Sequence, residues 1–150
     1  MKRKIVAFAI IIMISASAFA ADETNSVNSK IIRSFTSNFN NAKNVKWKMA
    51  ANYVKVNFEF NGQDKVAIYN YDGELLATSV KFNFNNLPQK ALEVLAKNYP
   101  FPLHKLKDCV ELIDEDQQKN YYVSFESEKE NTVLKVGLDG TVSVFSKKKN

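Results

Sequence analysis

The sequence predicts an α+β fold: two tandem helix–four-strand meander repeats, with the helices packed on one face of an antiparallel sheet of about eight strands. Internal similarity is the first observation behind it. Val56-Asn57-Phe58-Glu59 matches Val123-Ser124-Phe125-Glu126; at the same offset of 67 residues Val66 falls on Val133, and Tyr71-Asp72-Gly73 on Leu138-Asp139-Gly140. Similarity strand for strand and turn for turn marks one supersecondary unit used twice. The second observation is a set of apolar residues at helical spacing ahead of each run of alternating residues: Ile31, Ile32, Phe35 and Phe39, then Ala91, Leu92, Leu95 and Tyr99. The third is order. A helix followed by several strands excludes a parallel Rossmann-like sheet, in which strands and helices alternate.

Residues 1–20 read as a secretory signal peptide. Lys2-Arg3-Lys4 is its positive start, residues 5–14 its apolar run, and residues 15–20 end in an Ala-x-Ala cleavage pattern. The apolar run is shorter than the ~20 residues a spanning helix needs. No later segment is apolar enough to span, so no stable membrane insertion is expected after signal cleavage, and the mature chain is expected in the periplasm or secreted. Residues 21–28 are polar and are expected to be disordered. Residues 29–150 then form a single domain holding both repeats, at about 29–84 and 86–146.

In the first repeat Asn28 or Ser29 caps the helix and Asn40-Asn41 ends it. Val45, Trp47 and Met49 alternate with Lys46 and Lys48, the pattern of a half-buried strand. Val54, Val56, Phe58 and Phe60 alternate with Tyr53, Lys55, Asn57 and Glu59, and Asn61-Gly62 turns the chain. A third strand is expected at about 65–71, a turn at Asp72-Gly73, and a fourth strand at about 74–82. In the second repeat Leu87-Pro88 opens the helix, with Pro at the first helical position where no N–H is needed. Pro100 and Pro102 stop it. The helices match at an offset of 60 and the strands at 67, which places seven extra residues around 101–107. Strands are expected near 107–113, 121–127, 132–138 and 141–146, with turns at 128–131 and Asp139-Gly140.

Net charge says little about partners once the signal is removed. The full chain has 21 Lys+Arg and 16 Asp+Glu, a net charge of +5. Three of those bases and none of the acids lie in residues 1–20, leaving 18 against 16, or +2. Nucleic-acid binding thereby loses its compositional support.

Several of these residues together carry a resemblance. Trp47, the run Tyr53-Val54-x-Val56-x-Phe58, Gly62, Ala67-x-Tyr69-x-x-Asp72-Gly73-Glu74-Leu75-Leu76, Leu87-Pro88 and Tyr99-Pro100 resemble the PepSY-like, β-lactamase-inhibitor-like family of proteins exported by Bacteroidetes-type bacteria. The likeness runs over residues 31–146. It implies helices on one side of an antiparallel sheet whose open, concave surface grips another protein. These motifs are structural, and no contact residue of the inhibitors maps onto this chain through them.

Catalysis has little material. His104 and Cys109 are the single His and the single Cys, and they flank an irregular Pro-rich segment and a strand start. A Cys–His dyad needs hydrogen-bond reach and a third, orienting group. No Gly-x-Ser-x-Gly elbow, paired His or Gly-rich phosphate loop is present. Catalytic residues: none expected; cofactors: none. Cys109 reads as a buried small hydrophobe, and a lone Cys can form no intramolecular disulfide. Asp114-Glu115-Asp116 lacks the spacing and the glycine of a calcium loop and reads as a solvated turn, so no metal is expected. Lys147-Lys148-Lys149 reads as a solvated tail. The Asp-Gly pairs are turns, where positive φ favours both residue types.

A surface is the better binding candidate. Tyr53, Lys55, Asn57 and Glu59 share one side of the second strand, and Tyr122, Ser124 and Glu126 lie at the matching offset. If Val56 and Phe58 face the helices, both sets lie on the open face with Phe145 and, by parity, Val66 and Ile68. Exposed aromatic rings among mixed charges suit protein or peptide recognition. Trp47 could anchor a partner, although its parity with Val45 and Met49 favours the core. The candidate binding residues are therefore Tyr53, Lys55, Tyr122, Phe145 and Trp47. They point to an exported, non-enzymatic module that recognises or regulates another exported protein or peptide through the open sheet face. The alternative is a periplasmic binder of a small ligand, a peptide or an envelope polymer.

Overall fold

A computed structural model describes residues 27–150. The expected signal peptide and most of the polar stretch after it lie outside the described residues. Ten elements carry the fold: α1 (Ser29–Asn38), β1 (Lys43–Ala50), β2 (Tyr53–Phe60), β3 (Gln63–Tyr69), β4 (Leu75–Lys81), α2 (Gln89–Asn98), β5 (Lys105–Asp114), β6 (Lys119–Glu126), β7 (Glu130–Val136) and β8 (Val142–Lys149). The strands form an eight-stranded antiparallel sheet in the order of the chain, giving an α+β protein. Two compact units divide it. One runs up to Val80 and includes Ile113–Gln117; the other holds Lys81–Leu112 and Gln118–Asn150.

In the first unit α1 is started by Asn28, whose side-chain oxygen accepts from the Lys30 N–H at 2.9 Å. Val27, within the stretch expected to be disordered, is buried in the same core. Ile31 and Phe35 face Trp47, Val54, Val56, Phe58, Ala67 and Tyr69. Phe35 meets Trp47 and Phe58 edge-on, with ring centroids 5.2 and 4.9 Å apart, an arrangement that adds to simple area burial. Asn61 and Gly62 both take positive φ (53° and 73°), the requirement of a two-residue type I′ hairpin, and Phe60 pairs with Gln63 across it.

The second unit is built the same way on α2. Ala91 and Leu95 pack on Cys109, Val123, Phe125, Leu134 and Val136. Pro88 is the N-cap rather than the first helical residue, and its carbonyl accepts from the Ala91 and Leu92 N–H groups. A 3₁₀ turn at Phe84–Asn86, capped by the Asn83 side chain, leads into it. The Lys147-Lys148-Lys149 run is not a tail. These lysines lie in β8, paired with Thr132, Asn131 and Glu130 of β7, and Lys147 Nζ donates to Glu130 Oε1 at 2.6 Å.

The seven extra residues expected at 101–107 are spread out. The helix-to-strand connection is four residues in the first unit and six in the second, β5 is two residues longer than β1, and the next turn grows from two residues to four. In the Asp-Gly turns only the glycines have positive φ (87° for Gly73, 80° for Gly140). The aspartates keep ordinary backbone. In the first turn Asn70 Oδ1 accepts from the N–H groups of Asp72 and Glu74; in the second Asp139 Oδ1 accepts from that of Thr141.

Candidate functional site: an apolar loop over a cleft

The connection from α2 to β5 is held at both ends by aromatic contacts. Tyr99 closes α2 through its N–H to the Leu95 carbonyl (2.8 Å), and its ring stacks on Phe125, with centroids 5.2 Å apart and planes 9° apart. His104 sets its ring edge-on against Tyr99 at 5.3 Å, and its backbone N–H donates to the Pro100 carbonyl. Between these anchors Pro100 and Pro102 have no N–H to donate and fixed φ, so no strand ladder can form there. The Phe101–Pro102 peptide is cis. The residues between the anchors project outward: Phe101 is 81% and Leu103 69% exposed, and Leu106 follows at the start of β5, also exposed. Phe101 and Leu103 on the loop and Leu106 in β5 thus bring three exposed large apolar side chains within six positions.

Beside the loop lies a cleft of about 700 Å³, lined by Pro102, Leu103, His104 and Lys105 on one side and Glu126, Ser127, Glu128 and Lys129 on the other. The second wall is the β6–β7 turn, closed by the Ser127 N–H to the Glu130 carbonyl (2.9 Å) and by the Glu130 N–H to Ser127 Oγ (3.1 Å). Charges are tied down unevenly around it. Lys107 holds Glu126 at 3.1 Å, and Lys147 with Thr132 holds Glu130. The Lys147 hydrogen bond keeps the Glu130 carboxyl below the usual carboxylate range and raises the ammonium of Lys147. Lys105 and Lys129 are exposed and, among the described residues, outside any ion pair. His104 Nδ1 is buried with no hydrogen-bond partner.

The candidate binding residues fall elsewhere. Tyr53 and Lys55 are 6% exposed and Tyr122 is 3% exposed, so the expectation that they stand free on an open face is corrected. Alternation does put Tyr53 and Lys55 opposite Val54 and Val56, but that second side is also buried: Ile68, Ala77 and Ser79 lie there too. Burial raises the Tyr53 hydroxyl above its ordinary value. Tyr122 meets Phe145 edge-on at 5.2 Å, and Phe145 is half-buried. Trp47 is a core residue against Phe35.

Cys109 is buried against α2 while His104 packs on Tyr99 at the cleft. Burial, reinforced by the neighbouring Asp108 carboxylate, pushes the Cys109 thiol up to about 12, the opposite of an activated nucleophile. Asp114 Oδ1 accepts from the Asp116 N–H, a local turn bond, and among the described residues no three His, Cys, Asp or Glu side chains gather as metal ligands. No described helix is long and apolar enough to cross a membrane.

Phe101 and Leu103 were absent from the sequence-derived candidates. The signal available was the Phe-Pro-Leu run inserted where the second half is longer than the first.

No known family profile and no curated protein matches the chain. Solved structures do. A candidate periplasmic protein of Bacteroides eggerthii superposes with a TM-score of 0.67 at 12% identity, over 82% of this chain and 88% of that one. A DUF2874-family protein of Bacteroides ovatus gives 0.66 at 14% identity, over 83% and 88%. A BLIP-like protein of Bacteroides fragilis gives 0.63 at 20% identity, over 86% and 92%. At these identities the likeness concerns the fold.

Proposed function

We propose that the mature chain is an exported, non-enzymatic binding module of the periplasm that recognises another protein. The exposure of Phe101 and Leu103 on a loop braced by Tyr99 and His104 carries this reading. Apolar side chains held in water at fixed positions gain most when a partner covers them. The fold neighbours support it in kind, being a candidate periplasmic protein and a BLIP-like protein. The PepSY-like part of the resemblance rests on the sequence motifs alone. Helix-then-four-strands order in each unit, with ten residues in each helix, supports reading the two units as copies of one ancestral unit. We assign recognition to the α2–β5 loop in place of the sheet face carrying Tyr53, Lys55 and Tyr122, whose burial leaves them no surface to offer.

The test is capture from native envelope extract by the mature chain and by its Phe101→Ser/Leu103→Ser variant. Capture of a defined protein by the first alone, with equal melting temperatures, is the expected result. Equal capture by both would move the surface elsewhere, and capture by neither would remove the protein-partner reading.

A further inference from the structure

The cleft beside the loop carries more chemistry than an apolar contact needs. Its two walls each bring a lysine outside any ion pair among the described residues, Lys105 from the start of β5 and Lys129 from the β6–β7 turn. Of its two carboxylates, Glu126 is already neutralised by Lys107 at 3.1 Å, and Glu128 alone is unpaired. Among the residues lining the cleft, positive charge is therefore in excess. His104 lines the same wall, and its buried Nδ1 lacks the hydrogen-bond partner such an atom normally has. Pro102 and Leu103 supply an apolar surface directly beside these cations.

A ligand that matches the two cations and the apolar surface at once presents an apolar side chain and a carboxylate a few atoms apart. We propose that the cleft takes the C-terminal end of a peptide chain, with its last side chain, aliphatic or aromatic, against Pro102 and Leu103. The terminal carboxylate lies between Lys105 and Lys129. This rests on the reading of the loop as the recognition surface and names what that surface grips. An internal segment of a folded partner has no terminal carboxylate and leaves both ammonium groups unmatched. Charge-assisted hydrogen bonds from two lysines are about twice as strong as neutral ones and discriminate the acid from its amide.

The experiment is titration of the mature chain with acetyl-Ala-Ala-Leu and acetyl-Ala-Ala-Phe, each as the free acid and as the C-terminal amide, followed by amide chemical shifts. The acids are expected to bind and to shift resonances of residues 102–105 and 126–129. The amides should bind about tenfold or more weaker, consistent with ~1.4 kcal/mol per decade. In Lys105→Met/Lys129→Met the acid should fall to the amide's affinity, with the melting temperature unchanged. Salt should weaken the acid and spare the amide. Equal binding of acid and amide, shifts confined to other residues, or no binding of either peptide at millimolar concentration would overturn the proposal. Envelope capture separates the two readings. A partner held through Phe101 and Leu103 and retained by Lys105→Met/Lys129→Met leaves the binding module standing and removes the terminal-carboxylate site.

Discussion

Gly73 lies so close to Lys30 that a methyl group on its Cα would stand 3.1 Å from the Lys30 carbonyl oxygen. The turn between β3 and β4 is thereby pressed against the first turn of α1, and a methyl group on Gly140 would likewise stand 3.0 Å from the Lys90 Cβ at the start of α2. Two demands meet at Gly73: positive φ and absence of a side chain. Gly62 has the first demand only, because nothing lies within 4 Å of its would-be Cβ. Gly62→Ala is expected to cost about 1 kcal/mol from left-handed strain, and Gly73→Ala about 2 kcal/mol or more, strain and contact together. Urea unfolding of the two variants side by side checks this; a Gly73→Ala cost no larger than that of Gly62→Ala would show that the helix start yields freely.

Tyr53 and Tyr122 are buried, so Tyr53→Ala and Tyr122→Ala should each cost about 3 kcal/mol, the usual loss for a deleted core ring. Tyr122→Phe, which keeps the edge-on contact with Phe145, should cost less than Tyr122→Ala. Full retention of stability in the alanine variants would return both residues to the list of surface contacts.

Cys109 should resist alkylation in the folded protein at pH 8 and react on unfolding, since its thiol is buried and raised to about 12. The linkage has a definite sign. The unfolded thiol ionises near its ordinary 9.0 while the folded one stays neutral, so this contribution is complete below 9 and is lost as pH climbs toward 12. Rapid labelling of the native chain by iodoacetamide would refute the burial.

Acid acts on two carboxyls of the second unit. Glu130 is held below its ordinary 4.5 chiefly by Lys147, and Asp139 below its ordinary 3.8 chiefly by Thr141. A lowered folded value stabilises above the unfolded one and is lost as pH falls through the folded one. Stability should therefore decline below about pH 4.5 and more gently in Glu130→Gln. Asp139 is exposed and Glu130 only half-buried, so the effect is small and should shrink in high salt. Identical acid profiles for wild type and Glu130→Gln would remove Glu130 from the account.

Local chemistry was legible wherever one or two residues decide it. Asn61-Gly62 announces a type I′ turn because few other pairs tolerate positive φ twice, and the helix stripes show because Ile31 and Phe35 recur at the right period. What failed depends on residues distant in sequence. Alternation separates Tyr53 and Lys55 from Val54 and Val56 but cannot say whether the second side is covered. Lys147 to Lys149 look like a solvated end until Glu130, seventeen residues earlier, is seen to pair with the first of them. Phe101 and Leu103 were missed for the converse reason: an apolar residue in isolation reads as core, and only the surrounding packing reveals that nothing covers it.

Trp47, the sole tryptophan, is packed against Phe35 inside the first unit. Indole emission from this protein therefore watches one half of the molecule while the other stays dark to it. If the two units come apart at different denaturant concentrations, fluorescence and far-ultraviolet dichroism will trace different curves. The mismatch would be a measure of how independently each half holds together, obtained without any added label.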